Sequence, residues 1–229
     1  MLGGLDLSSA AFWSALGSIL LANVVLSGDN AVVIAMAART LKPEQRNKAI
    51  FFGSAAAIVM RIVLTIIAIR LLTMPFLKIV GAFLLCYIGV DLLTGEEDGD
   101  GEGQEVTSMA GAIRTILVAD LVMSLDNVLA VAAAAKGNMP MLIIGLVVSI
   151  PLIVFGASLL TKVMERFPII ITVGAAMLGF LAGEMLLTDP AVTAHWSAMS
   201  ETSVKAAGVV GAVLVVCVGM WRQRCAGRA

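Results

Sequence analysis

The chain has 229 residues, 60% of them hydrophobic and 14% charged, with a formal net charge of -1 and a mean hydropathy of +1.02. That composition excludes a soluble globular domain, and the near-zero charge gives no reason to expect a nucleic-acid partner. Three cysteines without a CxxC pair and a single histidine argue against a disulfide framework or a thiolate zinc centre.

A bilayer core about 30 Å thick needs about 20 apolar residues per helix. In chain order, seven such stretches fall at about 12–38, 49–72, 74–94, 107–135, 140–161, 168–187 and 205–221. The runs are long and continuous rather than short and alternating, so helices are expected and a barrel is not. The first stretch is not read as a cleaved signal, because Asp6 and no basic residue precedes it.

The loops between these spans carry their charges unevenly. Arg39, Lys42, Arg46 and Lys48 lie between spans one and two, Lys162 and Arg166 between five and six, and Arg222, Arg224 and Arg228 after seven. The other side has Arg70, Lys78, Lys136 and Lys205. The positive-inside rule then puts the N-terminus outside and the C-terminus in the cytoplasm of a multi-pass inner (cytoplasmic) membrane protein. The acidic, glycine-spaced segment 95–106 reads as a solvated cytoplasmic linker.

One segment recurs. Ala22-Asn23-Val24-Val25-Leu26-Ser27-Gly28-Asp29-Asn30 in span one matches Ala119-Asp120-Leu121-Val122-Met123-Ser124-Leu125-Asp126-Asn127 in span four, 97 residues on. A carboxylate at the bilayer centre costs roughly 2.5–3.5 kcal/mol on insertion scales, so an intramembrane Asp calls for a functional explanation. The match continues through alanines to Arg39 and Lys136, and a weaker one joins Gly81–Asp91 to Gly174–Glu184. The expected fold is therefore an all-α membrane protein forming a single transmembrane domain. Its seven transmembrane helices make a 3+3 inverted repeat, residues 12–94 and 107–187, plus one C-terminal helix at 205–221. An odd number of spans per repeat forces the second copy to enter from the opposite side. Inverted halves around a midplane site are a recurrent transporter design. Gly28 offers a helix break in the first copy, whereas Leu125 occupies that position in the second.

Asn23, Ser27 and Asn30 fall at helical spacing on one face, as do Asp120, Ser124 and Asn127. The serines and Asn23 are as well explained by helix-to-helix hydrogen bonds. The remaining donors are hard oxygens: carboxylates of Asp29, Asp126, Asp120, Asp91 and Glu184, and carboxamides of Asn30 and Asn127. Such a set suits Mg²⁺, Ca²⁺ or Mn²⁺, and two carboxylates balance one divalent ion. Met123 could add a sulfur, although a packing role explains it more simply. Arg61, near the middle of span two, is as costly there as an acid. It is expected to pair with Asp29 or another acid, either as a stand-in for an absent ion or as a purely structural partner.

The twin Ser-x-Asp-Asn motifs at Ser27–Asn30 and Ser124–Asn127, set in seven spans, resemble the TerC family of integral membrane proteins and its YjbE-like branch. The resemblance implies metal-ion transport, with manganese efflux and metal supply to exported metalloenzymes as the roles linked to members. It carries Asp29, Asn30, Asp126 and Asn127 over as site residues, with Asp120 next. The expectation is a transporter and not an enzyme, with a divalent cation, Mn²⁺ first, as cargo and no tightly bound cofactor. Its surroundings are the lipid bilayer. A homo-oligomer is compatible with the sequence, which does not set the number of copies.

Two other readings are open. One is a non-transporting scaffold or assembly factor involved in metal or tellurite resistance. The other is an intramembrane aspartyl protease, disfavoured because Asn follows each Asp and Leu125 replaces the expected glycine.

Overall fold

The computed structural model describes residues 13–14, 16–17, 28–72, 74–95, 108–134, 139–195 and 199–226, without the side chains of 68–72, 126–134, 139, 141–142 and 226. The described residues form seven helices and one isolated helical turn, with no strand among them. The helices are α1 (Gly28–Ala38), α2 (Pro43–Leu72), α3 (Leu77–Thr94), α4 (Met109–Ala134), α5 (Met139–Arg166), α6 (Ile169–Leu187) and α7 (Glu201–Ala226). The turn, Pro190–Thr193, lies between α6 and α7.

α2, α3, α5, α6 and α7 are each long and apolar enough to cross a membrane. α1 adds 11 residues from Gly28 onward. α4 has the length, at 26 residues, but carries Arg114, Asp120 and Asp126. This is an all-α integral membrane protein.

Three helices outrun the apolar stretches predicted from sequence. α2 begins at Pro43 rather than 49, so Arg46 and Lys48 stand on its first turns; α5 continues to Arg166; and α7 spans Glu201–Ala226. Hydropathy marks only what lies in hydrocarbon, whereas backbone hydrogen bonding continues through the headgroup layer. Pro43 also suits the first helical position, where its missing N–H is not needed.

Contacts between helix ends give the path of the chain. Just after α1, Arg39 donates to the Leu92 carbonyl near the end of α3 at 2.8 Å. Arg46, at the start of α2, pairs with Glu165 at the end of α5, and Gln223 near the end of α7 donates to the Leu93 carbonyl at 2.7 Å. All of these meet on one side. On the other, the start of α3 is tied to Asp189 just beyond α6. Successive helices therefore run in opposite directions.

Each of the first three helices packs on the helix three places later: α1 on α4, α2 on α5, and α3 on α6. The cross pairs α2 with α4 and α5 with α1 also form. Exchange of two three-helix halves about an axis in the membrane generates this set of pairings. α3 and α6 cross antiparallel, with Gly89 against Leu178 and Gly81 against Met185.

The seventh helix lies outside this exchange and is held by close backbone approach. A Cβ built on Gly183 would stand 2.1 Å from the Ala207 carbonyl oxygen, and one on Gly211 would stand 2.1 Å from that of Gly179. Gly179 and Gly183 form a small-xxx-small pair, the pattern that lets membrane helices touch main chain to main chain. Between the helices, Met36, Leu85, Ile116, Leu178 and Val215 are fully buried, while Val59, Phe83, Phe155 and Val210 project outward.

Candidate functional site

Asp29 and Asn30 stand in the first described turn of α1. One Asp29 oxygen accepts from the Asn30 N–H at 2.8 Å. Asn30 is 3% exposed, and neither Oδ1 nor Nδ2 of its side chain has a hydrogen-bond partner among the described residues. A buried polar group left unpaired costs about 1–3 kcal/mol. The carboxamide is thus withheld from water without internal compensation.

The other half of the site is built between α2 and α4. Arg61 is 3% exposed and pairs with Asp120, which is 5% exposed. Its Nε–H also donates to Ser124 Oγ at 3.1 Å, and the Ser124 hydroxyl donates to the second Asp120 oxygen at 3.2 Å. The i, i+4 spacing of Asp120 and Ser124 places both on the face of α4 turned to Arg61, as their spacing predicts. Asp120 is therefore an acid partner of Arg61. The charges of both members of the pair act on Asp29 as well, which links the two motif copies electrostatically.

The Asp126 and Asn127 backbone continues α4, which runs unbroken through Leu125; their side chains lie outside the described residues. Asn23, Ser27 and any interruption of span one before Gly28 lie outside them too, as does the acidic segment beyond Gly95.

Asp91 and Glu184 come from another helix pair, α3 and α6. The antiparallel crossing of α3 and α6 sets them toward opposite ends of the pair, about 14 Å apart along the axes at 1.5 Å per residue. An inverted repeat sends matched positions to opposite sides of the membrane unless they lie at the crossing itself. Asp91 instead lines a separate cavity of about 280 Å³ with Tyr87, Arg114 and Thr115. No group of three His, Cys, Asp or Glu side chains that could hold a metal occurs among the described residues. The oxygen donors on hand around α1 and α4 are Asp29, Asn30, Asp120 and Ser124.

Sequence reasoning passed over Asp189, which is fully buried. Its carboxylate accepts from the backbone N–H groups of Phe76, Lys78, Ile79 and Ala191 at 2.9, 3.0, 3.3 and 2.7 Å. It thereby caps both the helical turn that follows it and the start of α3. Asp189-Pro190 carries the N-cap and first-position proline signature, which could have shown half of that role. His195 makes only a local contact, its Nδ1 lying 2.9 Å from the Ala191 carbonyl oxygen, and Met123 is buried in the apolar core. Cys86, Cys217 and Cys225 are free thiols.

Comparison with known proteins agrees with this architecture. The chain is 46% identical over 167 residues to the Bacillus subtilis membrane protein YjbE, covering 73% of this chain and 76% of the relative. It is 24% identical over 188 residues to YceF of the same organism, covering 78% and 73%, and 29% identical over 175 residues to the inner membrane protein YgdQ of Escherichia coli K12, covering 68% and 73%. No solved structure matches. The family model described as "Integral membrane protein TerC family" matches residues 8–226, and the chain belongs to that family.

Proposed function

We propose that this protein exports a divalent cation, Mn²⁺ first, across the cytoplasmic membrane. The ion is held between the first turn of α1 and residues 120–127 of α4. The observation that carries the reading is the Asn30 carboxamide, buried beside Asp29 with no hydrogen-bond partner among the described residues. A cation that takes Asn30 Oδ1 as a ligand gives that buried oxygen a partner and draws on the nearby carboxylates. Hard oxygen donors suit Mn²⁺, Mg²⁺ and Ca²⁺.

Arg61 supplies the return step. In the ion-free state it neutralises Asp120, so that the acid need not face hydrocarbon alone. An arriving ion competes for Asp120 and displaces the guanidinium. Departure of the ion restores the pair. Alternating access rocks α1, α2, α4 and α5 about the α1–α4 contact to expose the site to one side and then the other.

The basic end of the bundle, with Arg39, Arg46, Lys162, Arg166, Arg222 and Arg224, faces the cytoplasm in this reading. Ion released on the far side is then available to exported metalloenzymes.

The test is Mn²⁺ flux into vesicles holding the purified protein, alongside metal-dependent thermal stabilisation. The native protein is expected to carry Mn²⁺. Asp29→Asn and Asp126→Asn are expected to abolish flux while leaving the fold intact, and Asn30→Ala to lower it about tenfold. A native protein with no flux and no metal-dependent stabilisation refutes the proposal and favours the scaffold reading.

A further inference from the structure

A groove of about 680 Å³ opens between α2 and α5, away from the Asp29–Asp120 region. Arg46 and Lys162 stand at its mouth, on the side where the ends of α1, α3, α5 and α7 gather. Deeper in, its walls turn apolar, with Phe51 from α2 and Pro151 and Phe155 from α5; Ser158 lies between the two zones. From Lys162 to Pro151 the α5 wall is about 17 Å long at 1.5 Å per residue. Half of a bilayer core is about 15 Å. The groove thus runs from the interface through the depth of one leaflet.

Three features separate this groove from an ordinary lipid-facing furrow. First, its charges are of one sign: among the lining residues both ionisable groups are cations. Second, Arg46 is incompletely satisfied. One terminal nitrogen pairs with Glu165 and the other donates to the Arg39 carbonyl at 3.0 Å, but its buried Nε–H has no hydrogen-bond partner. Third, Pro151 sits inside α5 and cannot donate to the carbonyl one turn back, which favours local bending of the helix beside the groove.

We infer that this groove is a binding site for an anionic phospholipid of the leaflet on the basic side. The lipid phosphate lies between Arg46 and Lys162. One acyl chain follows the wall of Phe51, Phe155 and Pro151. Basic pockets between membrane helices on the cytoplasmic side are suited to anionic headgroups by the same physics. The occupant is a lipid rather than free phosphate because the apolar wall continues a full leaflet inward from the charged mouth.

Native mass spectrometry of the full-length protein, exchanged into detergent with equimolar phosphatidylglycerol and phosphatidylcholine, tests this. Phosphatidylglycerol is expected to be retained preferentially, and 10 mM inorganic phosphate is expected not to displace it, on the order of excess needed to compete at a screened surface. Lys162→Gln is expected to reduce the preference about fivefold, the factor for one cation near a membrane surface. Ser158→Phe, which fills the groove without altering charge, is expected to reduce retention of both lipids at this site. Arg46→Gln also removes the contact with Glu165, so its result is read only if its melting temperature matches the native one. Equal retention of the two lipids overturns the inference. So does a phosphatidylglycerol preference unchanged in Lys162→Gln, or displacement of the lipid by free phosphate.

Discussion

The ion pair between α2 and α4 permits a direct separation of folding from function. Removing one member of a buried pair typically costs about 3–5 kcal/mol, because the other charge is left uncompensated, whereas replacing both by apolar residues of similar volume is often neutral. Arg61 and Asp120 are 3% and 5% exposed, and Ser124, which bonds to both, is 0% exposed, so water can do little to rescue the survivor. Arg61→Met and Asp120→Leu are therefore each expected to cost about 3–5 kcal/mol. At roughly 2–4 °C per kcal/mol for a chain of this size, each single variant should melt roughly 6–20 °C lower. The double variant should recover most of that loss, giving a coupling of about 4–5 kcal/mol or more, above the roughly 0.5–3 kcal/mol that contacting residues usually show. The assay is thermal unfolding in detergent of the native protein, both single variants and the double, followed by Mn²⁺ flux for each. Recovery of stability without recovery of flux is the expected pattern. Additive losses in the double variant would refute the pairing argument, and a stable double variant that still transports would remove Arg61 and Asp120 from the mechanism.

Further outcomes follow from other contacts. Asp189→Ala strands backbone donors at the start of α3 and in the turn after α6, and should cost at least about 2 kcal/mol in unfolding experiments, more than a single lost cap. Gly183→Ala drives a methyl into the Ala207 carbonyl and should destabilise by about 1–3 kcal/mol. Gly156→Ala, where an added Cβ meets nothing within 4 Å, should be neutral or stabilise by up to about 1 kcal/mol, so the difference between the two melting temperatures is the measurement. Saturating Mn²⁺ at about 100 times its dissociation constant should raise the stability of the native protein by about 2.7 kcal/mol, and chelation should reverse it. Asp29→Asn should lose that increment.

Long apolar helices were legible in the sequence because hydrocarbon imposes a length on each one, and five of the expected spans are long apolar helices in the structure. Arg61 stood out for the same reason as the acids, being a charge where charge is expensive. Its contact with Asp120 could not be read, since Asp29, Asp120 and Asp126 were all candidates and the rotation of α4 that turns Asp120 and Ser124 toward it is a tertiary feature. Asp91 and Glu184 were grouped with the site because each ends a matched segment. The antiparallel crossing of α3 and α6 sets the two toward opposite ends of that pair, so equivalence in sequence does not bring them to each other. Asp189 escaped notice because its role is to bind main chain from a helix more than a hundred residues away, and no spacing rule reports a backbone partner.

The glycine contact between α6 and α7 sets a limit on which parts can move. Where carbonyl oxygens of one helix lie against the α-carbons of another, even a small slide brings main chain into main chain, and no side chain stands between to change rotamer and absorb it. α6 and α7 must therefore travel as one piece, and α3, packed on both, travels with them. The fixed frame of the protein is then a three-helix slab that takes one helix from each repeat and the appended seventh. In the transport cycle proposed above, the rearrangement around the Asp29–Asp120 region falls to α1, α2, α4 and α5.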